Sequence, residues 1–144
     1  MKTTFIGLLF LVAPYINAQE KIRTFQLSDA PRYSEETGYG YDLTDTPEKG
    51  SKAPFFFSVR VPDGNYQVTV RLGNKKQAGV TTVIGESRRL FIDNLATQKG
   101  QFVDETFIIN KRNPRISEKE SVRIKPREKA KLNWDDKLTL EFNG

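Results

Sequence analysis

The sequence PFFFSVRVPDGNYQVTVRL at residues 54–72 decides the fold class, because two strand-like segments flank a turn signal. In the second segment, apolar and polar residues alternate from Tyr66 to Leu72, which is the pattern of a strand with one buried face. The PDGN sequence at 62–65 is typical of a tight turn, since Pro62 presets its own φ and Gly64 tolerates positive φ. We therefore predict an antiparallel hairpin over residues 54–72, at the centre of an all-β sandwich.

Further short patterns of β-branched and aromatic residues indicate strands elsewhere in the chain. They cover residues 21–27, 39–43, 80–86, 88–95, 101–110 and 137–142, with weaker signals at Ile116 and over 121–125. One or two helical turns are expected within residues 125–132, and no window shows a sustained apolar stripe of helical period. Several short strands separated by turns predict an all-β, antiparallel β-sandwich of jelly-roll type.

Some of these strands carry specific expectations about which side chains are buried. In the 21–27 strand we expect Ile22 and Phe25 to face the core. In the 88–95 strand we expect Leu90 and Ile92 on one face and Phe91 on the other, because successive side chains of a strand point to opposite faces.

The first 18 residues have the pattern of a secretory signal peptide. Lys2 gives a positive start, the apolar run FIGLLFLV at 5–12 is too short to span a bilayer, and Ala18 precedes the expected cleavage point. The alternative is a buried N-terminal strand or helix. The signal-peptide interpretation predicts a secreted or periplasmic protein whose residues 19–144 form one β-sandwich domain.

The absence of Cys and His excludes several kinds of chemistry. A Ser-His-Asp triad and a His-based zinc site cannot be built within this chain, and disulfides cannot form. Catalysis by paired carboxylates remains formally open. We therefore expect that the chain is not an enzyme on its own.

Positive charge is concentrated in one segment of a chain whose net charge is +5. Residues 111–131, which we name the basic segment, contain nine Lys and Arg against three Glu, a balance of 9 − 3 = +6. One interpretation is a solvated edge strand and loop, whose charges discourage aggregation. The other is a basic face for an anionic partner, and export makes an acidic polysaccharide a better candidate than nucleic acid.

An aromatic loop at residues 33–42 is the first candidate binding site. Tyr39, Tyr41 and Asp42 combine aromatic faces with a carboxylate, which suits stacking on sugar rings and hydrogen bonding to hydroxyls. The alternative is that both tyrosines cover the core while the neighbouring glycines serve turns.

Two further candidates lie later in the chain. Arg88 and Arg89 offer planar forks for carboxylates, although an internal ion pair with Glu86 or Asp93 would also explain them. Trp134 lies beside two aspartates at 135–136, and it could be a sugar platform, part of a weakly indicated calcium site, or a core residue before a turn. We expect no other cofactor.

Four blocks of this sequence, in order, resemble one known family. YSEETGYGYDL, PFFFSVRVPDGNYQVTVRLGN, VTTVIGESRRLFIDNL and KLNWDDKLTLEFNG together resemble the N-terminal accessory β-sandwich of bacterial rhamnogalacturonan acetylesterases of Bacteroides-type bacteria. The resemblance covers residues 22–144 and implies a galactose-binding-like jelly roll that precedes an SGNH hydrolase domain in that family. The family's catalytic serine and histidine blocks have no counterpart in this chain.

The resemblance implies a non-catalytic, carbohydrate-binding-like module of a secreted pectin-deacetylating esterase, truncated before its hydrolase domain. The expected partner is an acidic plant polysaccharide of rhamnogalacturonan type or a C-terminal esterase domain, with no nucleic acid and no membrane after signal cleavage. A structural domain that supports the esterase without binding sugar is the alternative. We expect a monomer.

Overall fold

The computed structural model of the chain describes residues 21–44, 53–123, 125–129 and 135–144. Within them the chain forms an antiparallel β-sandwich, as predicted. Its strands are β1 (Tyr39–Asp42), β2 (Phe55–Arg60), β3 (Gly64–Gly73), β4 (Gly79–Gly85), β5 (Arg89–Thr97), β6 (Phe102–Lys111) and β7 (Lys137–Asn143). A 3-10 turn covers Leu27–Asp29, and the short helix α1 covers Pro126–Lys129, inside the segment where helical turns were expected. No helix of these residues is long and apolar enough to cross a bilayer.

The strands form two sheets that enclose one core. A five-stranded sheet has the order β1-β2-β7-β4-β5, and β3 pairs with β6 in a two-stranded ribbon. Ile109 and Val83, one from each sheet, are fully buried where the sheets meet. The alternation predicted for β3 is confirmed, since Val70 and Leu72 belong to the buried core cluster. The other members of that cluster are Phe57, Val83, Ile92, Ile109, Leu138, Leu140 and Phe142.

The predicted hairpin over residues 54–72 is wrong, because β2 and β3 lie in different sheets. β2 pairs with β1 and β7, whereas β3 pairs with β6. Both edges of β2 are occupied, by β1 on one side and by β7 on the other, so no edge is left for β3. The chain leaves the sheet at Pro62, which has no backbone N–H to donate.

The predicted strand at residues 21–27 is also wrong. Residues 21–26 have no regular secondary structure, and Ile22 is 87% exposed. The edge of β1 is already occupied, since the backbone N–H of Tyr33 donates to the carbonyl of Tyr41 and the N–H of Tyr41 donates to Pro31. Phe25 packs against the core as expected, with its ring centroid 4.9 Å from that of Tyr39.

The faces predicted for the 88–95 strand were wrong because the pairing of β4 with β5 is irregular. Val83 lies opposite Ile92 and Ile84 lies opposite Leu90, so Phe91 is an extra residue on β5. This bulge lets Phe91 pack against the core beside buried Ile92, while Leu90 is 57% exposed. The weak strand signals at Ile116 and 121–125 correspond, in the described residues, to a single bridge between Arg115 and Ser121.

Candidate functional site

The turn between β4 and β5 has an unusual backbone for its sequence. Glu86 and Ser87 have φ values of 51° and 64°, and the N–H of Arg88 donates to the carbonyl of Gly85. Positive φ at both central residues defines a type I′ turn, which normally takes Asn and Gly. Glu and Ser in the left-handed region cost roughly 1–2 kcal/mol each. Backbone strain of this kind clusters at functional sites, which makes this turn a candidate site.

Two hydrogen bonds to β7 hold Glu86 in that conformation. The backbone N–H of Glu86 donates to the carbonyl of Thr139 at 2.9 Å. The N–H of Thr139 in turn donates to Oε1 of Glu86, also at 2.9 Å. Oε1 of Glu86 therefore accepts the hydrogen bond that the backbone carbonyl of Glu86 would accept if β4 continued along β7.

Glu86 is an ionisable group inside the protein, with 4% of its surface exposed. Burial raises its pKa from 4.5 to about 7, and the nearby carboxylate of Asp135 acts in the same direction. The N–H of Thr139 and the cations Arg89 and Lys111 oppose this rise without cancelling it. Burial likewise raises the pKa of Asp135, whose Oδ1 accepts the N–H of Lys137.

The two arginines of the turn have different roles. Arg89 is half-buried and its Nη1 donates to the carbonyl of Asn110 at 2.9 Å, which ties β5 to the end of β6. Arg88 is exposed. Within the described residues neither arginine forms a direct ion pair with Glu86 or Asp93, although the charge of Arg89 acts to lower the pKa of Glu86. The carboxylate-binding interpretation stays a prediction.

The basic segment begins at the same end of the sandwich. Its first residue, Lys111, is only 3% exposed, and its Nζ lies 2.8 Å from Oδ1 of Asp63 in the connection between β2 and β3. The bond from Lys111, together with one from the N–H of Asn113, lowers the pKa of Asp63. Lys111 is therefore a structural cation. It is not part of the exposed basic face that was predicted to bind an anionic partner.

The other charged residues of the basic segment are exposed wherever their side chains are described. These exposed cations are Arg112, Arg115, Lys119, Arg123, Lys125 and Arg127, against exposed Glu118 and Glu120. The local balance is 6 − 2 = +4. Lys131 lies outside the described residues, as do residues 1–18 and Trp134.

The two candidate tyrosines pack into the protein. Tyr41 is 6% exposed, its ring lies edge-on to those of Phe55 and Phe57, and its hydroxyl donates to the carbonyl of Leu27 at 2.6 Å. Tyr39 is half-buried and packs against the same core cluster. This geometry fits the alternative in which both residues cover the core, and the Tyr41 ring is too buried to stack on a sugar.

Asp42, the third candidate in that loop, belongs to a polar layer on the outer side of the five-stranded sheet. Its Oδ2 lies 2.7 Å from Nζ of Lys137, and both side chains are 17% exposed. Although burial acts to raise the pKa of Asp42, hydrogen bonds from Lys137 and Ser58 hold it below its usual value. Burial acts to lower the pKa of Lys137, but Asp42 raises it.

The layer continues from Asp42 to the strained turn. An ionised carboxylate only accepts hydrogen bonds, so the Ser58 hydroxyl donates to Asp42. The 2.7 Å bond between the hydroxyls of Ser58 and Thr139 must then have Thr139 as its donor. Backbone bonds connect Thr139 to Glu86, so one chain of contacts joins β1, β2, β7 and the β4–β5 turn.

Sequence reasoning missed most of this layer. Ser58 and Thr139 occupy outward positions of their strands, where polar side chains are ordinarily solvated, yet they are fully buried. Lys137 and Asp63 gave no local signal at all, because their partners are 95 and 48 residues away. The described residues contain no group of three or more acidic side chains that could hold a metal, and the calcium suggestion rested partly on residues outside them.

Comparison of the chain with protein-family models, with curated proteins and with solved structures gave no match.

Proposed function

We propose that this chain is a non-catalytic module that binds an anionic polysaccharide through one end of its β-sandwich. The observation that carries the proposal is the bond between Arg89 and Asn110, at 2.9 Å. It brings the Arg88–Arg89 turn beside the start of the basic segment, two features that are more than 20 residues apart in sequence. In this proposal the exposed side chains of Arg88 and Arg112 belong to one binding face.

The chemistry of this end of the protein suits galacturonate-type sugars. Guanidinium groups bind carboxylates through paired N–H donors, and Arg88 and Arg112 are both exposed there. Two acids at this end of the protein have partners of their own. Glu86 is buried with a pKa of about 7, and Asp63 is already bound to Lys111. Because Tyr41 is packed inside, recognition here depends on charge, with Trp134 left as the aromatic candidate.

The resemblance to accessory domains of rhamnogalacturonan acetylesterases favours pectin over other acidic glycans. In this proposal the module is exported and carries a polysaccharide contact for an esterase, while the jelly-roll, galactose-binding-like arrangement supplies the scaffold. The absence of His from the sequence supports a non-catalytic role.

A double substitution tests the proposal. Arg88→Ala/Arg112→Ala removes two exposed cations at the proposed face, each worth roughly 0.5–1 kcal/mol to binding. We expect the Kd for rhamnogalacturonan in low salt to rise roughly 5- to 30-fold, measured by isothermal titration calorimetry.

The matched control is Lys75→Ala/Lys76→Ala, which removes the same charge from the exposed loop between β3 and β4. That loop follows the opposite end of β3 from Lys111, since Gly64 pairs with Lys111 and Gly73 with Phe102. Equal losses in the two double variants would show that net charge alone drives binding and would refute the proposed face.

A second candidate function is a docking domain that supports an esterase domain. Val80 on β4 and Leu90 on β5 favour it, because these apolar side chains are 47% and 57% exposed on neighbouring strands. Docking predicts that the chain does not bind acidic polysaccharide and that it co-purifies with an SGNH hydrolase domain. It also predicts that Leu90→Lys abolishes this co-purification.

A further inference from the structure

Among the described residues, β3 has a strand partner on one side only. β3 pairs with β6 through an unbroken register from Gly64–Lys111 to Gly73–Phe102. On its other side β3 has no strand partner among the described residues. A paired strand directs the N–H and C=O groups of about every second residue away from its neighbour. β3 therefore presents a row of roughly five residues' unpaired backbone groups.

The other sheet edges in the described part of the chain are protected. β1 has only four residues and is covered by the hydrogen bonds of residues 31–33. β5 has an irregular register and a positive φ of 47° at Asn94. β6 likewise has no second strand partner among the described residues, but it carries Asp104 and Glu105, and Glu105 lies opposite the inward-facing Val70. Short strands, bulges and covering elements are the usual ways in which proteins prevent edge pairing.

β3 has none of these features. It is ten residues long, it has no proline and no register shift, and its inward positions carry no charge. Arg71 is its only charged residue, in a chain of which 28% is charged. Its inward residues Tyr66 and Val68 are only half-buried, whereas Val70 and Leu72 are buried. The open edge thus leaves apolar surface for a further strand to cover.

We propose that β3 is a self-association edge, at which a second copy of this chain adds its own β3 antiparallel to the first. The result is a continuous four-stranded sheet in the order β6-β3-β3-β6, related by a two-fold axis. An isologous contact of this kind needs one surface that is complementary to itself. Strand addition supplies backbone hydrogen bonds across the axis.

The charge pattern of β3 favours a second copy as the occupant. With the axis at Val68, Val68 faces its own copy and Tyr66 faces Val70, so the half-buried Val68 and Tyr66 each gain an apolar neighbour. On the outer side Arg71 of one copy faces Asn65 of the other. The two Arg71 residues lie six residues apart along the sheet, about 20 Å, which exceeds the screening length of about 8 Å in physiological salt. Although both chains are positively charged, they meet along a strand where almost no like charges face each other. This proposal differs from the monomer expected from the sequence.

Sedimentation velocity of the full chain from about 1 to 200 µM tests this proposal. We expect a reversible monomer–dimer equilibrium in the wild-type protein. The double variant Gln67→Lys/Thr69→Lys places lysines of the two copies opposite each other, whether the two-fold axis passes through Gln67, Val68 or Thr69. Like charges directly opposite on paired strands are destabilising, so we expect the dimer Kd to rise about tenfold or more.

The matched control is Thr106→Lys/Ile108→Lys, at the cross-strand partners of the same two positions on β6. It adds equal charge and also removes the 2.8 Å hydroxyl bond between Thr69 and Thr106, but it leaves the β3 edge unchanged. We expect this variant to dimerise like the wild type. Circular dichroism confirms that each variant is folded.

Hydrogen exchange on the wild-type protein provides a test that needs no substitution. Amides of β3 should become protected as concentration rises, while the amides of β1 should not. A monomer at all concentrations, a dimer that tolerates the β3 substitutions, or protection that is independent of concentration would each overturn the proposal. A monomer that binds an extended peptide at this edge would identify a different partner and would also refute self-association.

Discussion

Replacing Glu86 with glutamine is expected to stabilise the protein at pH 8 and to change little at pH 5. The carboxyl group is buried beside Asp135, with Arg89 and Lys111 as the nearby cations, and burial raises its pKa from 4.5 to about 7. Between these two values the folded protein holds a proton that the unfolded chain has released. The free energy of unfolding therefore falls as pH rises through this window, and the full penalty is present above about pH 7.

The size of the effect follows from the gap between the two pKa values. A gap of 7 − 4.5 = 2.5 corresponds to about 3 kcal/mol in the free energy of unfolding, which we take as an upper limit. Glutamine keeps the acceptor Oε1 for the N–H of Thr139 and removes the buried charge. We therefore expect Glu86→Gln to gain roughly 1–3 kcal/mol at pH 8.

Urea unfolding followed by circular dichroism at pH 5 and pH 8 measures this directly. The comparison uses the difference between the two pH values, because any effect of the amide on packing is the same at both. Glu118→Gln, which removes an exposed carboxylate, is the control and should stay within about 0.5 kcal/mol of the wild type. If Glu86→Gln changes stability equally at pH 5 and pH 8, the buried carboxyl does not titrate as described.

Three further substitutions test the packing. Gly85→Ala places a Cβ 2.5 Å from Cδ1 of Ile109, so we expect a loss of about 1–3 kcal/mol by urea unfolding, and an unchanged midpoint would contradict the close packing. Asp63→Asn leaves the buried Lys111 without its carboxylate and should lower Tm more than Lys111→Met, which removes the charge itself; the reverse order would show that the pair is not needed. Tyr41→Phe removes the hydroxyl bond to Leu27 and should cost about 1 kcal/mol, whereas a neutral result would mean that the bond adds nothing.

Local periodicity predicted the strands, because the alternation of apolar and polar residues within one strand is a local property of the sequence. The one-sided alternation of β3 appears in the structure as predicted, and so does the single turn of helix at α1. Strand pairing could not be predicted in this way, because it depends on which strands lie side by side in space. A turn signal at Pro62 indicated where the chain reverses, but not that the reversal carries it into a second sheet.

The candidate site was predictable only where a residue's neighbours in sequence are also its neighbours in space. Arg88 and Arg89 were singled out by residue type, although they were placed in the 88–95 strand, and the basic segment was found from composition. Lys111 could not be separated from the rest of that segment, since its partner Asp63 comes from the connection before β3. The strain at Glu86 had no sequence signal, because Glu-Ser is not a turn pair that favours positive φ.

The most direct test of the proposed function is affinity electrophoresis of the full chain in gels containing either rhamnogalacturonan or a neutral galactan. At about 20 mM salt we expect retardation by the acidic polymer only, and we expect most of it to disappear at about 300 mM salt, because exposed charge contacts are screened. Absence of retardation at low salt by a protein shown to be folded, or equal retardation by the neutral polymer, would contradict the account.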